Sequence, residues 1–358
     1  MTEPWYPQLQ ALRALAVSGP VVMHLWPTDA SSPLEARIVG IGYLGVDLFF
    51  VISGFLITGI LLRARSAIGS TTTAVTVIGR FYGRRALRIF PVYWLLLLVL
   101  AIAGVPPVRE EFWWMFLYAW NLRLADIASW PGHVSHFWSL AVEEQFYLAW
   151  PLLVLLLPLR QVPVAIAATC VLGPLYRLFA PSPWHATVLL PACVDVLGIG
   201  ALLAWLHHTT PADSAARRRF TAVALALGLA GTAVHLALYL RDAAAWFTAW
   251  PLARTSCALL FAGLVDRAAT GFKGTAGRVA EWQPLVFIGM ISYGIYLLHP
   301  LTATLLRLHR FTGSMPTDAP VMFFLLQVSL TIGLAAASWY LLEKPVNSLR
   351  RHLPYPRP

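Results

Sequence analysis

Residues 136–158 read HFWSLAVEEQFYLAWPLLVLLLP, a run with the length and apolar content of a helix that crosses a lipid bilayer. Within it stand two adjacent carboxylates, Glu143 and Glu144. A charged side chain at the centre of a span costs about 3 kcal/mol on insertion scales, so spans keep one mainly where it pairs or faces a polar cavity. The run therefore indicates a membrane protein whose helices enclose polar side chains.

The composition of the whole chain indicates the same class. Hydrophobic residues make up 58% of the 358 positions and charged residues 12%, and the mean hydropathy is +0.68. A soluble domain carries about 25% charged residues. The net charge of +10 comes mostly from loop arginines, which indicates membrane topology and gives no reason to expect nucleic acid. The three cysteines form no Cys-x-x-Cys pair, so we predict neither a disulfide framework nor a zinc site.

Apolar runs of about 20 residues predict an all-α fold, a polytopic integral membrane bundle of about ten transmembrane helices. We expect one membrane domain over residues 1–358. The spans are predicted near 9–27, 40–62, 89–105, 137–158, 162–180, 187–207, 220–240, 246–266, 285–308 and 319–342. The first ten residues contain no base, unlike a signal peptide, so we expect the first span to be retained.

The distribution of arginine and lysine predicts the orientation. If both termini are cytoplasmic and the Trp-rich run 111–122 does not cross, cytoplasmic loops hold 17 basic residues and outer loops hold 7. This bias would vanish if 111–122 crossed. We therefore predict that residues 105–136 form an outer loop with an interfacial or re-entrant piece. The expected location is the inner or plasma membrane, in contact with its lipids.

Polar side chains in the first two predicted spans suggest a catalytic pair. Arg13 and His24 lie eleven residues apart, which places them on nearly the same helix face and about 16 Å apart along the axis. Asp47 is the only acid of the second span and is expected near the depth of His24, where it can orient the imidazole of a general base. The structural alternative has Arg13 reaching the headgroups and Asp47 capping a neighbouring backbone.

The opening run carries a polar stripe at helical spacing. Its members are His136, Ser139, Glu143 and Tyr147. Glu144 points about 100° away from Glu143. We therefore expect Glu144 to pair with a basic group on another helix or to lie at a seam. Replacement of Glu143 by Gln is expected to reduce activity, and the same change at Glu144 is expected to reduce chiefly stability.

Further ionisable residues extend this site. His299 falls in the outer half of the ninth predicted span, so His24, Asp47, Glu143 and His299 are expected to share a cavity.

At the cytoplasmic end, arginines precede the third span: Arg80, Arg84, Arg85 and Arg88. Such a cluster suits polyanion binding, although basic residues are expected on this side in any case. Glu343 is expected to pair with the cluster. No carboxylate stands at ligand spacing from a histidine pair, so we predict no metal.

Six segments, in this order, resemble the acyltransferase-3 family of membrane-bound bacterial O-acyltransferases. They read LQALRALAVSGPVVMH, GYLGVDLFFVISGFLIT, FYGRRALRIFPVYW, FWSLAVEEQFYLAWPLL, ISYGIYLLHP and LLEKP. The resemblance covers nearly the whole chain. It implies transfer of an acyl group from acyl-CoA, expected to be acetyl-CoA, to a hydroxyl. The expected acceptor is a sugar, a lipid-linked glycan, or a glycosylated or macrolide-type metabolite.

The residue patterns and the resemblance together give expected roles for particular residues. The expected catalytic residues are His24, Asp47 and Glu143, with His24 as the base. The expected acyl-CoA-binding residues are Arg13, Arg84, Arg85 and Arg88. The expected structural or acceptor-site residues are Ser139, Glu144, Tyr147, His299 and Glu343. Some members carry a secreted esterase-like domain, which we expect to be absent because the chain ends fifteen residues after Glu343.

Two alternatives remain open at this point. Direct attack by the acceptor is favoured over an acyl-enzyme, because no serine or cysteine stands beside a base in a nucleophile motif. The alternative function is a transporter of a small anionic or acylated substrate, since intramembrane His, Asp and Glu also build transport paths. Against it, the two halves of the chain show no matched pair of helices broken by Gly or Pro.

Overall fold

A computed structural model describes residues 5–28, 32–69, 72–211, 213–241, 251–308 and 320–355, with side chains described only to Thr302 in the helix that ends at Leu308. The described residues form an all-α bundle with no β-strand. Its helices are α1 Pro7–Leu25, α2 Pro33–Gly40, α3 Leu44–Arg65, α4 Ala74–Ile102, α5 Phe112–Phe116, α6 Trp120–Ile127, α7 Phe137–Leu156, α8 Val162–Phe179, α9 Pro183–Val188, α10 Leu190–Thr209, α11 Ala215–Arg241, α12 Ala253–Thr270, α13 Gly274–Ala280, α14 Gln283–Met290, α15 Ser292–Leu308, α16 Pro320–Ser338 and α17 Lys344–Ser348.

The long helices confirm a polytopic membrane fold. Within the described ranges, seven helical stretches are long and apolar enough to cross a membrane, and the bent pair α14–α15 would make an eighth. These eight lie at predicted spans two to seven, nine and ten. Helices α1 and α12 lie at the other two, but they contain more polar side chains and do not reach the same hydropathy. That α1 and α12 cross the bilayer stays a prediction. The start of the eighth predicted span, 246–250, and position 319 lie outside the described residues.

Two helices differ from the predicted spans in shape. Helix α4 begins at Ala74, fifteen residues before the predicted span, because Thr73 caps it through a hydrogen bond from the Thr76 amide and no breaker follows. The arginines that were predicted to precede the third span are therefore part of the same helix. The ninth predicted span is broken at Ile291, where α14 and α15 meet at 74°.

The Trp-rich run 111–122 falls on two short helices. Helix α5 has five residues and α6 has eight, so α6 is only about 12 Å long, far less than the roughly 30 Å hydrocarbon core. Neither is long enough to cross a bilayer alone. This agrees with the prediction that the run does not span.

Helix α3 is central in the bundle because small residues let its neighbours approach. A Cβ added to Gly45 would lie 2.0 Å from the Ala16 carbonyl oxygen of α1, and one added to Gly54 would lie 2.0 Å from the Leu197 carbonyl oxygen of α10. At both glycines the missing side chain lets the two helix backbones approach closely. Gly59, on the same helix, instead faces the guanidinium of Arg63.

Replacing Gly54 by alanine should destabilise the bundle. The new methyl group would overlap the α10 backbone, and overpacking of this kind costs about 1–3 kcal/mol. The matched control is Gly79→Ala in α4, where an added Cβ meets nothing within 4 Å and the better helix former should stabilise by about 0.5–1 kcal/mol. Unfolding in mixed micelles measures both variants. Equal effects would contradict the α3–α10 packing described here.

Candidate active site

Two cavities abut between α1, α3, α7 and α15. The first, here named the arginine cavity, has a volume of about 90 Å³. Its polar lining comprises Arg13, Ser53, Arg85, Arg88, Ser139, Glu143, Glu144, Tyr147, Ser292, Tyr293 and Tyr296. The second, the histidine cavity, has a volume of about 570 Å³. Its lining includes His24, Tyr43, Asp47, Trp130, Ser135, His136, Trp138, Arg177, His235, Tyr239 and Arg254. Val46 and Tyr296 line both cavities and form the wall between them.

His24 is held by a hydrogen bond to a second histidine. Its Nδ1 lies 2.8 Å from Nε2 of His299, and Nδ1 of His299 lies 2.8 Å from the Tyr296 carbonyl oxygen and 3.2 Å from that of Ile295. A carbonyl only accepts, so Nδ1 of His299 carries the proton and its Nε2 accepts from Nδ1–H of His24. This assignment leaves Nε2 of His24 unprotonated. The ring is exposed on the wall of the histidine cavity, where Nε2 can take a proton from a substrate.

Asp47 does not orient His24, contrary to the prediction. Its fully buried carboxylate accepts from Nε of Arg254 at 3.0 and 3.3 Å and from Nη2 of the same guanidinium. Nη1 of Arg254 donates to the Thr187 carbonyl oxygen. A neighbouring cation thus satisfies the carboxylate, and the group that holds the His24 ring is His299. Asp47 and His24 nevertheless line the same cavity.

Glu143 lines the arginine cavity, whereas His24 and Asp47 line the histidine cavity. The prediction that His24, Asp47, Glu143 and His299 share one cavity is therefore wrong. Its Oε1 accepts from Ser53 Oγ at 2.7 Å, and Tyr147 OH donates to the same Oγ at 2.9 Å. Arg13 is among the cations that act on Glu143 electrostatically. The sequence placed Glu143 near His24 by depth alone, and the wall formed by Tyr296 separates their cavities.

Glu144 also lines the arginine cavity, which corrects the prediction that it faces elsewhere. Helices α1, α3, α4 and α15 surround this side of α7, so residues 100° apart on the helix reach one cavity. No described side chain donates a hydrogen bond to Glu144, although Arg85 acts on it electrostatically. The two glutamates therefore differ in their partners and not in the cavity they face.

Arg84 is turned away from the cavity that it was predicted to serve. Its Nη1 donates to the carbonyl oxygens of Arg350 at 3.1 Å and Leu353 at 3.2 Å, and its guanidinium lies 4.9 Å from the centroid of the Tyr355 ring. These contacts tie α4 to the segment that follows α17. Arg84 is therefore a structural residue here.

The other three predicted acyl-CoA-binding residues do line the arginine cavity. Arg13, Arg85 and Arg88 all contribute to its wall. The predicted pairing of Glu343 with the arginine cluster takes a weaker form. The buried Glu343 carboxylate accepts from Ser338 Oγ at 3.0 Å, and Arg88 and Arg13 act on it electrostatically without a direct bridge.

Residues that the sequence assigned no role complete the wall near His24. The ring of His136 lies 5.1 Å from that of His299 and 6.3 Å from that of His24, measured between centroids. Tyr296 OH donates to the His136 carbonyl oxygen at 3.0 Å and lies 2.6 Å from Ser139 Oγ. The sequence placed His136 in a polar stripe at helical spacing, whereas no pattern distinguished Tyr296 from an ordinary interfacial tyrosine. Among the described residues, no group of three or more His, Cys, Asp and Glu is arranged to hold a metal ion.

Two buried ion pairs on the histidine cavity were also missed. Arg254 pairs with Asp47, and Arg177 donates bidentately to Asp195 at 2.8 Å for each bond. Thr255 Oγ1 adds a bond to Asp195 at 2.6 Å. The sequence does show charged residues inside these apolar runs, and opposite charges inside spans are expected to pair with one another. It does not show which helices lie next to each other, so the partners could not be assigned.

The chain is similar to known acyltransferases. The profile of the acyltransferase domain matches residues 6–343. The peptidoglycan O-acetyltransferase OatA of Listeria monocytogenes is 28% identical over 382 residues, which cover 96% of this chain and 56% of that protein. The O-acetyltransferase OatA of Staphylococcus aureus is 28% identical, with 97% and 58% covered. The chain thus spans somewhat more than half the length of these relatives. No solved structure matches it.

Proposed function

The chain belongs to the acyltransferase-3 family of membrane-bound O-acyltransferases, and we propose that it moves an acetyl or other short acyl group from acyl-CoA to a hydroxyl of a carbohydrate or glycosylated metabolite. The observation that carries this proposal is the free Nε2 of His24, set by the His299 hydrogen bond and facing a large cavity. The names of the relatives, O-acetyltransferases, support an acetyl donor and a hydroxyl acceptor.

In the proposed reaction, the acceptor hydroxyl gives its proton to Nε2 of His24 while its oxygen attacks the thioester carbonyl carbon. The carbon–sulfur bond breaks, and the departing CoA thiolate takes the proton back from the imidazolium. Throughout, Nδ1–H of His24 can continue to donate to Nε2 of His299, which keeps the ring in place. General-base catalysis of this kind contributes about 10²–10⁴-fold. Direct attack is preferred, because two nearby serine hydroxyls are engaged: Ser135 Oγ in the histidine cavity donates to the Gly132 carbonyl oxygen, and Ser139 Oγ in the arginine cavity lies 2.6 Å from Tyr296 OH.

The two cavities suit the two substrates. The histidine cavity falls within the roughly 300–1,000 Å³ usual for small-ligand sites, and its Trp130 and Trp138 offer apolar ring faces beside polar groups. It is the proposed acceptor site. The narrow arginine cavity is the proposed path of the donor's thioester arm, with Arg13 about 16 Å below His24 along α1. We place the chain in the plasma or inner membrane with both termini in the cytoplasm.

The glutamates give a test of the arginine cavity. Glu143→Gln removes a carboxylate that accepts a hydrogen bond from Ser53 and interacts electrostatically with three arginines. The rate of acyl transfer should therefore fall about tenfold or more, which is the scale of one hydrogen bond to a charged group. Glu144→Gln removes a charge with no bonded donor in the described structure, so it should not lower the melting temperature. This revises the stability loss that the sequence predicted for Glu144. A larger drop in melting temperature for Glu144→Gln than for Glu143→Gln would contradict the placement of both.

Thioester consumption distinguishes the proposed enzyme from the alternative transporter. Protein in nanodiscs is incubated with acetyl-CoA and a panel of glycans and glycosylated metabolites, free CoA thiol is measured, and the acceptors are examined by mass spectrometry. An acyltransferase releases CoA in proportion to acylated product. A transporter releases none.

A further inference from the structure

The arginine cavity is too small for a whole acyl-CoA molecule. Its volume of about 90 Å³ lies well below the roughly 300 Å³ at which small-ligand sites begin. It also contains Glu143 and Glu144 beside its three arginines, so phosphate groups entering it would meet like charge. If acyl-CoA is the donor, its phosphorylated end must bind outside this cavity.

A separate basic pocket adjoins the arginine cavity. This Arg63 pocket has a volume of about 220 Å³, and Leu56 of α3 lines both it and the arginine cavity. Its lining comprises Tyr6, Phe55, Leu56, Gly59, Arg63, Ala204, His207 and His208. It lies where the start of α1 meets the ends of α3 and α10. Ten residues of α3, about 15 Å, separate Arg63 from Ser53 in the arginine cavity.

Arg63 has a partly buried guanidinium with no anionic partner in the described structure. Gly59 gives it room, because the guanidinium lies 3.3 Å from the point where a Cβ of residue 59 would be. The neighbouring Arg65, in contrast, is engaged, because it donates to the carbonyl oxygens of Val154 and Leu157. Arg63 therefore presents unused donors to the pocket.

Among the described residues, no acid lines the Arg63 pocket. The acid of the adjacent cluster, Asp266, already accepts from Arg217, from Thr221 and from Nε2 of His207. His208 is exposed on the pocket wall, where its imidazole can donate an N–H to a ligand. The Arg63 guanidinium and an imidazole N–H, facing one pocket with no acid among its described lining residues, favour binding of an anion. A guanidinium binds phosphate through two parallel N–H···O bonds.

We infer that Arg63 and His208 bind a phosphate group of the donor, so that the donor extends from the Arg63 pocket past Leu56 into the arginine cavity. The inference rests on the proposed function and replaces Arg84 as the phosphate ligand, since Arg84 is bonded to the segment after α17. Tyr6, at the start of α1, supplies an aromatic ring at the same pocket.

The test compares donors with and without phosphate. In nanodiscs, Arg63→Gln is expected to raise the KM for acetyl-CoA about tenfold or more, the scale of one charge-assisted phosphate contact. The KM for S-acetylpantetheine, which has no phosphate, should not change. His208→Gln should show the same selectivity to a smaller extent, and Arg63→Lys should retain part of the affinity. Arg160→Gln, an exposed charge outside both cavities, is the matched control and should act on neither donor.

Lipid composition separates the donor from a headgroup as the source of the phosphate. The Arg63→Gln effect should be the same in phosphatidylcholine nanodiscs and in nanodiscs that contain phosphatidylglycerol. An effect seen only with the anionic lipid, an equal effect on both donors, or no effect on acetyl-CoA would overturn the inference while leaving the acyltransferase proposal standing. If wild-type protein used neither thioester, the proposed function itself would fail, and this inference with it.

Discussion

Replacement of His24 by alanine is expected to reduce acyl transfer by about 10²–10⁴-fold while the protein stays folded. The variant removes the ring whose Nε2 faces the histidine cavity, and with it the group that accepts the hydroxyl proton. The lost ring leaves Nε2 of the buried His299 without a donor, so the free energy of unfolding should fall by about 1–3 kcal/mol. The measurement is the initial rate of CoA release, normalised to folded protein by size-exclusion chromatography.

His352→Ala is the matched control for His24→Ala. His352 is exposed and follows α17, outside the lining of either cavity, so its loss should leave the rate unchanged. Wild-type rates for His24→Ala would show that another group accepts the proton. Loss of the folded peak would show instead that His24 is needed for packing.

Replacement of Asp47 by asparagine is expected to lower the free energy of unfolding by about 3–5 kcal/mol. The carboxylate is fully buried, and its removal leaves the guanidinium of Arg254 without a counter-charge inside the bundle. Adding Arg254→Gln to Asp47→Asn should recover part of the loss, because the unpaired charge is then gone. Reversible unfolding in mixed micelles measures the single and double variants.

An exposed ion pair provides the control for Asp47→Asn. Asp126 is bonded to Arg123 at 2.6 Å with a side chain that is 72% exposed, so Asp126→Asn should cost no more than about 1 kcal/mol. If Asp47 instead oriented the base, Asp47→Asn would lower transfer per folded molecule as strongly as His24→Ala and would barely change stability. That result would contradict the Asp47–Arg254 assignment.

The fold was predictable because each span is a local property of the chain. Runs of bilayer length gave the positions of the long helices, and the 100° step of a helix placed Arg13 and His24 on one face. The break between α14 and α15 was missed, since neither a proline nor a run of polar residues marks Ile291. Hydropathy alone reads such a pair as one span.

The partners of the site residues were less predictable, because pairing between helices depends on tertiary contacts. Asp47 was matched to His24 by depth, yet Arg254, some 200 residues away, approaches it more closely. Arg84 was grouped with its neighbours by spacing, whereas its acceptors are backbone carbonyl oxygens that no side-chain pattern reveals. The role of His299 depends on its tautomer, which only the carbonyl contact of Nδ1 determines.

A ¹³C label on the acyl group shows whether His24 is needed to move that group to an acceptor. Wild-type and His24→Ala proteins in nanodiscs are given acetyl-CoA with a ¹³C-acetyl group, and the glycan and metabolite acceptors are analysed by mass spectrometry. The proposed mechanism predicts ¹³C-acetyl ester on an acceptor hydroxyl, matched by an equal amount of free CoA, with wild-type protein only. Equal labelling by His24→Ala, or CoA release with no acylated acceptor, would contradict it.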